Sequence, residues 1–295
     1  MTTALADEFE SHRPRLFGLA YRLLGSADEA QDALQDAYLR FSGADRAGIE
    51  HPAAWLAKVV TNLCLTRLTS ARARREQYVG AWLPEPVITS DGTLGPLESA
   101  EQRDAVSMAM LVLLERLTAT ERAVYVLREA FGYGYREIAA VLDLSEPNCR
   151  QLYRRAAQRV GEPRSRFEPA RELQEELVAS FLTAARDGDL AGLEKVLAAD
   201  VTWTSDGGGK VSAARRPVEG RDKVARLTAG GAERFAAGLD FTATEVNGAP
   251  GVAAWAGDRL VGVVAFDVRD GVIAHVRVVV NPDKLGFVRG QLARS

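Results

Sequence analysis

Residues 7–75 show the spacing of apolar positions that is typical of helices. Over residues 15–24, leucine and alanine recur three and four positions apart, which places them on one helix face. The glycine that follows favours a helix end, and Ser26-Ala-Asp-Glu29 fits a capping box that begins a second helix reaching about Gly43. Proline is tolerated in the first turn of a helix, so a third helix is predicted over 52–67.

A stretch rich in proline and glycine at 79–107 predicts a linker, and helical spacing returns after it. Thr118-Ala-Thr-Glu121 is a second capping box, and it opens a helix that closes at Gly132. Two short helices are predicted over 135–142 and 145–160. The chain is therefore expected to contain a second all-helical domain after the linker.

The pattern changes after about residue 172, where two amphipathic segments precede runs rich in β-branched residues. Glycine and aspartate separate these runs, as they do in antiparallel sheets. The predicted strands are Val201–Ser205, Leu239–Val246, Val252–Ala256, Leu260–Val268 and Val272–Val280. Helices followed by strands predict an α+β domain with a small antiparallel sheet.

Composition and charge limit the classes of function. The 295 residues suffice for two or three domains, and a net charge of −3 excludes binding to polyanions through bulk charge. Charge is nevertheless segregated, because residues 67–75 carry four arginines and no acid, and residues 150–166 carry six arginines and one acid. Cys64 and Cys149 lack C-x-x-C spacing and predict neither a disulfide scaffold nor a zinc site. Without an apolar run of 18 residues, we expect a reduced, cytoplasmic protein with no membrane contact, metal or cofactor.

The two short helices at 135–142 and 145–160 form a predicted helix-turn-helix, joined by Asp143-Leu144. Ser145 is placed to cap the second helix, and Leu152 is placed to face inward. Asparagine, glutamine and arginine are suited to base edges in the major groove or to phosphates. The candidate DNA-binding residues are Ser145, Asn148, Arg150, Gln151, Arg154 and Arg155. A charged surface helix of an all-helical domain is the competing interpretation.

The third helix ends in a basic segment suited to following a nucleic-acid strand. Its candidate contacts are Trp55, Lys58, Asn62, Arg67, Arg72, Arg74 and Arg75. Trp55 and Tyr78 bracket this segment and are suited to stacking on exposed bases. For Trp55 we favour the simpler interpretation, which is packing in the helical core.

Acidic side chains recur along one side of the second helix. Asp28, Asp32 and Asp36 are four residues apart and lie opposite Ala30 and Leu34. Like charges at this spacing repel and destabilise an isolated helix slightly. A basic protein partner would attract the same carboxylates and offset this repulsion. The candidate set is Asp28, Gln31, Asp32, Gln35 and Asp36. A solvated surface explains the pattern equally well.

Two features of the second half are candidate chemical sites. Asp206-Gly-Gly-Gly-Lys210 lacks the spacing of a phosphate-binding loop and instead predicts a glycine-rich hairpin. His275 and Arg277 share one strand face near Asp267 and Asp270. A carboxylate beside a histidine is suited to acid–base chemistry, but a lone strand histidine is more often a surface or core residue. We therefore predict no catalytic residue.

Three segments of the first half resemble bacterial extracytoplasmic-function (ECF) sigma factors. Residues 21–38 are similar to the segment of region 2 that binds core RNA polymerase. Residues 52–67 are similar to the part of region 2 that opens and reads the −10 element, and residues 117–155 to region 4, which reads the −35 element. Thr66 and Thr69 depart from the Asp and Arg usual there, and Pro147-Asn148 replaces a small aliphatic pair.

Three more motifs narrow the resemblance to the sigma-J-like subgroup with a fused C-terminal SnoaL-like domain. They are Trp82-Leu-Pro-Glu-Pro86, Asp206-Gly-Gly-Gly-Lys210 and Asn281-Pro-Asp-Lys-Leu285. The resemblance implies two all-α sigma domains followed by an α+β SnoaL-like domain, a cone of the NTF2-like type. The implied boundaries are 1–78 for region 2, 79–107 for the linker, 108–163 for region 4 and 172–290 for the SnoaL-like domain.

The resemblance implies a sigma factor that binds core RNA polymerase through the acidic helix and promoter DNA, both duplex and melted, through the basic helices. It also implies that the C-terminal domain regulates the sigma domains by intramolecular contact and is not an enzyme. The implied regulatory residues are Trp82, Leu83, Pro84, Asp206, Gly207, Gly208, Gly209, Lys210, Asn281, Pro282, Asp283, Lys284 and Leu285. The alternative is a helix-turn-helix regulator fused to an active SnoaL-like cyclase or isomerase.

Overall fold

The chain forms two compact units that do not follow one another along the sequence. The computed structural model describes residues 2–45, 48–90, 92, 94, 105–161, 170–235 and 238–293. The first unit combines Met1–Gln77 with Ser90–Arg164, and the second combines Tyr78–Thr89 with Ser165–Ser295. Residues 79–89 of the predicted linker therefore pack within the C-terminal unit, a placement that their proline-rich composition did not indicate.

The described helices of the first unit lie where the apolar spacing predicts them. They are α1 (Thr2–Leu24), α2 (Ala27–Gly43), α3 (Pro52–Glu76), α4 (Met108–Leu114), α5 (Ala119–Glu129), α6 (Tyr135–Leu142) and α7 (Glu146–Val160). Both predicted caps are present at helix starts. The Ser26 hydroxyl accepts a hydrogen bond from the Glu29 amide at 3.1 Å, and Thr118 and Glu121 form a reciprocal capping box.

Helices α1 and α5 of the first unit meet around two buried arginines. Arg122 is 2% exposed, and it donates to the carbonyl of Arg22 at 3.2 Å and to the Glu115 carboxylate at 2.6 Å. Burial lowers the pKa of Arg122 to about 9 and that of Arg22 to about 10. Among the described residues, Arg22 Nε and Arg122 Nη2 are buried without a hydrogen-bond partner. This contact therefore combines apolar packing with incompletely satisfied guanidinium groups.

The second unit contains helices, a sheet and a short C-terminal helical segment. Its described elements are α8 (Arg171–Arg186), α9 (Leu190–Val196), β1 (Leu197–Asp206), β2 (Val218–Glu219), α10 (Arg221–Phe235), β3 (Asp240–Val246), β4 (Ala249–Ala256), β5 (Arg259–Arg269), β6 (Val272–Val279), a 3₁₀ turn (Pro282–Lys284) and α11 (Gly286–Leu292). The helical core contains Phe181 and Val224, and the sheet contributes Phe266 and Val276 to it. Helices thus cover a face of the sheet, as in an α+β domain.

The sheet has the order β2-β1-β6-β5-β4-β3, and it is mixed. The prediction of an antiparallel sheet is wrong for one pair, because β1 and β6 are parallel, with Trp203 opposite Val276. Strands β3 to β6 form consecutive antiparallel pairs, whose hairpins the turn residues predict. The β1–β6 pair joins strands that are distant along the chain, and alternation of apolar residues carries no information about their relative direction.

Candidate functional site

Helix α2 has the two faces that its sequence predicts. Ala30, Ala33, Leu34, Ala37 and Phe41 are buried. Asp28, Gln31, Asp32 and Gln35 are exposed, and Asp36 is half-buried. Burial, and then the neighbouring charge of Asp32, raises the pKa of Asp28. The exposed side of α2 is called the acidic face below, and it comprises Asp28, Gln31, Asp32, Gln35 and Asp36.

The acidic face is in contact with a basic residue of α3. Arg67 Nη2 lies 2.6 Å from Asp36 Oδ2, and Arg67 Nη1 lies 3.6 Å from Asp32 Oδ2. Arg67 was predicted to bind DNA and the two acids to bind polymerase, so this ion-pair cluster was not predicted. The partners are far apart in sequence, and opposite charge alone does not indicate which residues meet. Binding of either expected partner therefore competes with an intramolecular pair.

The other candidates on α3 occupy different surroundings. Lys58 Nζ donates to Asp143 at 2.6 Å and to the carbonyl of Ala140 at 2.9 Å, at the C-terminal end of α6. A cation is stabilised there by the helix dipole. Trp55 packs on Phe41 with ring centroids 5.8 Å apart and is half-buried. Part of the Trp55 side chain thus packs in the helical core, as the favoured interpretation predicts, and part of it remains exposed.

The structure describes the side chain of only one of the remaining α3 candidates. Asn62 is half-buried. Arg72, Arg74 and Arg75 belong to the last turns of α3, and their side chains lie outside the described residues. Tyr78 belongs to the second unit, where its hydroxyl is 2.5 Å from Asp206 Oδ1. Stacking of its ring on bases stays a prediction.

Helices α6 and α7 form the predicted helix-turn-helix. Asp143 adopts a left-handed conformation (φ 53°) at the turn, and the Ser145 hydroxyl caps α7 by accepting from the Asn148 amide at 3.4 Å. Cys149, Leu152 and Ala156 are buried on one side of α7. Arg150, Gln151, Arg154 and Arg155 are exposed, and Asn148 is half-buried. The predicted DNA-reading face therefore lies on the solvent side of α7.

Helix α7 is also tied to the start of α5 by charge. Glu121 accepts from Arg159 Nη1 at a separation of 2.5 Å, and Arg155 Nε is 3.8 Å from the same carboxylate. The Glu121 side chain is 3% exposed, whereas the two arginines are about half exposed. The Glu121 carboxylate already attracts Arg155. Binding of Arg155 to a DNA phosphate, as predicted, would therefore compete with this intramolecular attraction.

The second unit contains a buried cluster around Asp206, at the end of β1. Asp206 is fully buried, and its carboxylate accepts four hydrogen bonds from described residues. The donors are the Tyr78 hydroxyl at 2.5 Å, the Leu83 amide at 2.8 Å, Lys284 Nζ at 2.8 Å and the Gly208 amide at 3.1 Å. Two of these donors belong to residues 78–89, which join the last residue of predicted region 2 to the first part of the predicted linker and pack within this unit. This segment is called the docked linker below.

Lys284 binds the docked linker through both charge and aromatic rings. Its ammonium lies 4.2 Å from the ring centroid of Trp82 and 4.9 Å from that of Tyr78, and it also donates to the carbonyl of Leu83. Asn281 Nδ2 donates to the Tyr78 hydroxyl at 2.8 Å. Burial and then the bond to Asp206 raise the pKa of Tyr78 above its usual value.

Glycines make this close approach possible. Gly208 has φ +59°, and a Cβ there would lie 2.3 Å from Asn281 Nδ2. A Cβ on Gly207 would lie 2.4 Å from the carbonyl oxygen of Val211, and one on Gly209 would crowd Val79. The glycine-rich segment lies in the connection between the antiparallel strands β1 and β2, which agrees with the predicted hairpin.

The other motif residues occupy both buried and exposed positions. Leu83, Pro84 and Leu285 are buried, whereas Pro282 is exposed. Lys210 and Asp283 form an exposed ion pair at 2.5 Å. The motifs at 82–86, 206–210 and 281–285 therefore meet in one place, although only some of their residues carry the contact.

The strand histidine belongs to a charged cluster. Asp267 Oδ2 lies 2.6 Å from Arg277 Nη1 and 3.5 Å from His275 Nδ1. Arg277 is 8% exposed and holds this carboxylate in place. Within the described residues, no three His, Cys, Asp or Glu side chains are grouped as a metal site, and no helix there is long and apolar enough to cross a membrane.

Comparison with known proteins gives matches along nearly the whole chain. Residues 9–74 match Sigma-70 region 2, and residues 107–160 match Sigma-70, region 4. The chain is 38% identical to the ECF RNA polymerase sigma factor SigJ of Mycobacterium tuberculosis, over 94% of this chain and 92% of SigJ. It is 33% identical to the probable ECF RNA polymerase sigma factor SigI of the same organism, over 96% of each.

The structural comparison agrees. The crystal structure of Mycobacterium tuberculosis SigJ aligns with a TM-score of 0.73 and 34% identity, covering 95% of this chain and 98% of that one. The predicted fold class is confirmed, since helical sigma regions precede an α+β domain. The prediction of a sigma factor is confirmed over the alternative of a regulator fused to an enzyme. The chain belongs to the ECF RNA polymerase sigma factors.

Proposed function

We propose that the acidic face of α2 binds core RNA polymerase, while α3 holds the melted −10 strand and α7 reads the −35 duplex. The observation that carries this proposal is the separation of exposed acids on α2 from the exposed polar and basic face of α7. Complementary charge steers association and fixes register between partners. Sigma factors bind core polymerase and promoter DNA, and the residue assignments given above extend that activity to individual side chains.

Charge reversal on the acidic face tests the core-binding assignment. The variant with Asp28→Lys and Asp32→Lys changes two exposed acids four residues apart on α2. Glu172→Lys with Glu176→Lys is the matched control, because these acids are also exposed and four apart, on α8. The α2 variant is expected to lose co-purification with core polymerase, since like charges then face the partner. Retained binding with an unchanged melting temperature would refute the assignment.

We further propose that the second unit regulates the sigma regions by holding the docked linker. Fully extended, residues 79–107 reach about 95 Å, and residues 90–107 alone reach about 60 Å. Binding of the docked linker therefore shortens the stretch of chain that can extend between the −10-reading and −35-reading regions. A tethered contact of this kind acts at high effective concentration, so it needs little intrinsic affinity. The boundaries 1–78, 108–163 and 172–290 are our proposed functional division of the chain.

We propose that the second unit has no enzymatic activity of its own. The carboxylate beside its strand histidine, that of Asp267, is already paired with Arg277 Nη1, which lies 2.6 Å away. Acid–base catalysis needs a titratable group within reach of a bound substrate. We place the sigma activity in the cytoplasm, where core polymerase and the promoter are found.

A further inference from the structure

Three tyrosines join α5, α6 and α7 in the helix-turn-helix region. Tyr125 and Tyr153 are stacked with ring centroids 6.2 Å apart, and Tyr135 meets Tyr153 edge-on at 5.9 Å. The Tyr153 hydroxyl donates to Glu129 at 2.8 Å. Such aromatic pairs add stabilisation beyond the area that they bury. The ring of Tyr135 is therefore fixed from one side by α7.

The position of Tyr135 is also fixed by its own helix. Tyr135 is the first residue of α6, and the Glu137 carboxylate accepts from the Gly134 amide at 2.6 Å, just before that helix begins. A carboxylate that binds this amide satisfies a group that has no partner within the helix. The backbone that carries the ring is thus held independently of the recognition helix α7.

Two arginines lie against the ring of Tyr135. The guanidinium carbon of Arg150 is 4.7 Å from the ring centroid, and that of Arg128 is 4.9 Å away. Arg128 Nη1 also donates to the carbonyl of Tyr133 at 3.1 Å. Arg150 belongs to α7 and is further paired with the carboxylate of Glu146, one turn earlier. An aromatic face attracts a guanidinium group, so the ring and the carboxylate together restrict Arg150.

This restriction acts on a side chain that remains accessible. The Arg150 side chain is 55% exposed, and it lies on the proposed DNA-reading side of α7. A free arginine loses rotamer freedom when it binds a base, whereas one that is already held loses less. Arginine is also the side chain suited to two simultaneous hydrogen bonds with guanine.

We propose that Tyr135 is a positioning residue for −35 recognition, whose ring holds the Arg150 guanidinium ready to read a base pair. The proposal rests on the proposed function of α7. It assigns Tyr135 no contact with DNA. Its effect is therefore expected only at the base pair that Arg150 reads, and only while Arg150 is present.

The variants separate positioning from packing. Tyr135→Phe keeps the aromatic face, and Tyr135→Leu keeps apolar bulk but removes that face. Pentafluorophenylalanine at position 135 keeps the ring shape and reverses its charge distribution, so it tests the same point if the leucine variant does not fold. Arg150→Gln removes the group that is positioned, and the double variant Tyr135→Leu with Arg150→Gln measures coupling.

The assay is run-off transcription by the full chain with core polymerase, on templates with each −35 base pair replaced in turn. Arg150→Gln is expected to relax discrimination at one base pair. Tyr135→Leu, or the fluorinated ring, should relax the same position about 3- to 10-fold, and the double variant should equal Arg150→Gln alone. Tyr135→Phe should stay within about twofold of the unchanged chain, because the ring remains.

Three results would overturn the proposal: unchanged discrimination in a folded Tyr135→Leu or fluorinated variant, an equal loss on every template that adds to Arg150→Gln, or no specific effect of Arg150→Gln. In the first two cases Arg150→Gln still relaxes one base pair, so the proposed reading by α7 stands. The third case removes Arg150 from −35 reading, while initiation by the unchanged chain with core polymerase remains. A chain that initiates on no template would instead refute the function itself.

Discussion

Removal of the Asp206 carboxylate should release the docked linker. In Asp206→Ala, the ammonium of Lys284 keeps the carbonyl of Leu83 and two aromatic rings but loses the carboxylate that lies 2.8 Å away. The Tyr78 hydroxyl and the Leu83 amide lose their acceptor at the same time. The change therefore affects the contact that joins the 206–210 loop to the linker.

The expected cost follows from burial of the pair. The Asp206 side chain is 0% exposed and that of Lys284 is 8% exposed, so water screens neither charge in the folded unit. Removing one partner of such a pair costs about 3–5 kcal/mol, which corresponds to a shift of roughly 150-fold or more in an equilibrium constant. Asp206→Asn with Lys284→Met removes both charges, and it should recover about half of that loss because no unpaired charge stays buried.

Amide hydrogen exchange measures this release locally. The Leu83 amide donates to Asp206, whereas the Ile88 amide donates to Gln291 Oε1 at 2.9 Å. In Asp206→Ala, exchange at Leu83 should accelerate about a hundredfold, with a change below about tenfold at Ile88. In run-off transcription, the same variant should tolerate a wider range of −10 to −35 spacings than the unchanged chain, because residues 78–89 then add to the length that can extend between the two regions.

A matched control uses the same loop. Lys210→Ala removes the ion pair between Lys210 and Asp283, two side chains that are each more than half exposed. Its effect on the free energy of unfolding should therefore stay below about 1 kcal/mol. Exchange at Leu83 that is as slow in Asp206→Ala as in Lys210→Ala would show that the buried charge does not hold the linker. An unchanged spacing profile after faster exchange would refute the regulatory role alone.

Two further predictions concern the first unit. Thr118→Ala removes the hydroxyl that caps α5 and should lower the free energy of unfolding by about 1 kcal/mol, as measured by urea unfolding, with Ser107→Ala at α4 as a comparison cap. Burial raises the pKa of Cys64 from 9.0 to about 12, so the thiol contributes stability that is complete below pH 9 and is lost as pH rises to 12. Cys64→Ala should therefore show a shallower loss of stability over that range, by about 1.4 kcal/mol per pH unit; parallel curves for the two proteins would contradict this.

Local chemistry explains how much of the structure was predictable. The Thr118–Glu121 capping box, the Ser145 cap and the apolar stripe of α2 depend on residues within one or two turns, so spacing alone located them. The parallel pairing of β1 with β6 was missed because it depends on the path of the chain over more than 70 residues. The sequence of neither strand indicates whether the two strands pair in parallel or antiparallel.

The candidate sites show the same division. Exposure of Arg150 and Gln151 followed from helical periodicity. The pairing of Arg67 with Asp36 did not, because both residues had a plausible external partner and only tertiary packing brings them to 2.6 Å. The motif at 82–86 was recognised by resemblance, yet its burial depends on Asp206 and Lys284, which are distant in sequence.

The docked linker also sets an order of events during synthesis. Ile88 emerges from the ribosome long before Gln291, the residue that binds its amide and carbonyl, since 203 positions separate them. At translation rates of about 5–20 residues per second, that interval lasts on the order of 10–40 s. The helix assigned to polymerase (α2) is synthesised before Ile88, and the helix assigned to −35 DNA (α7) is synthesised within this interval. Every newly made chain therefore passes through a stage in which both helices exist before the proposed restraint can form.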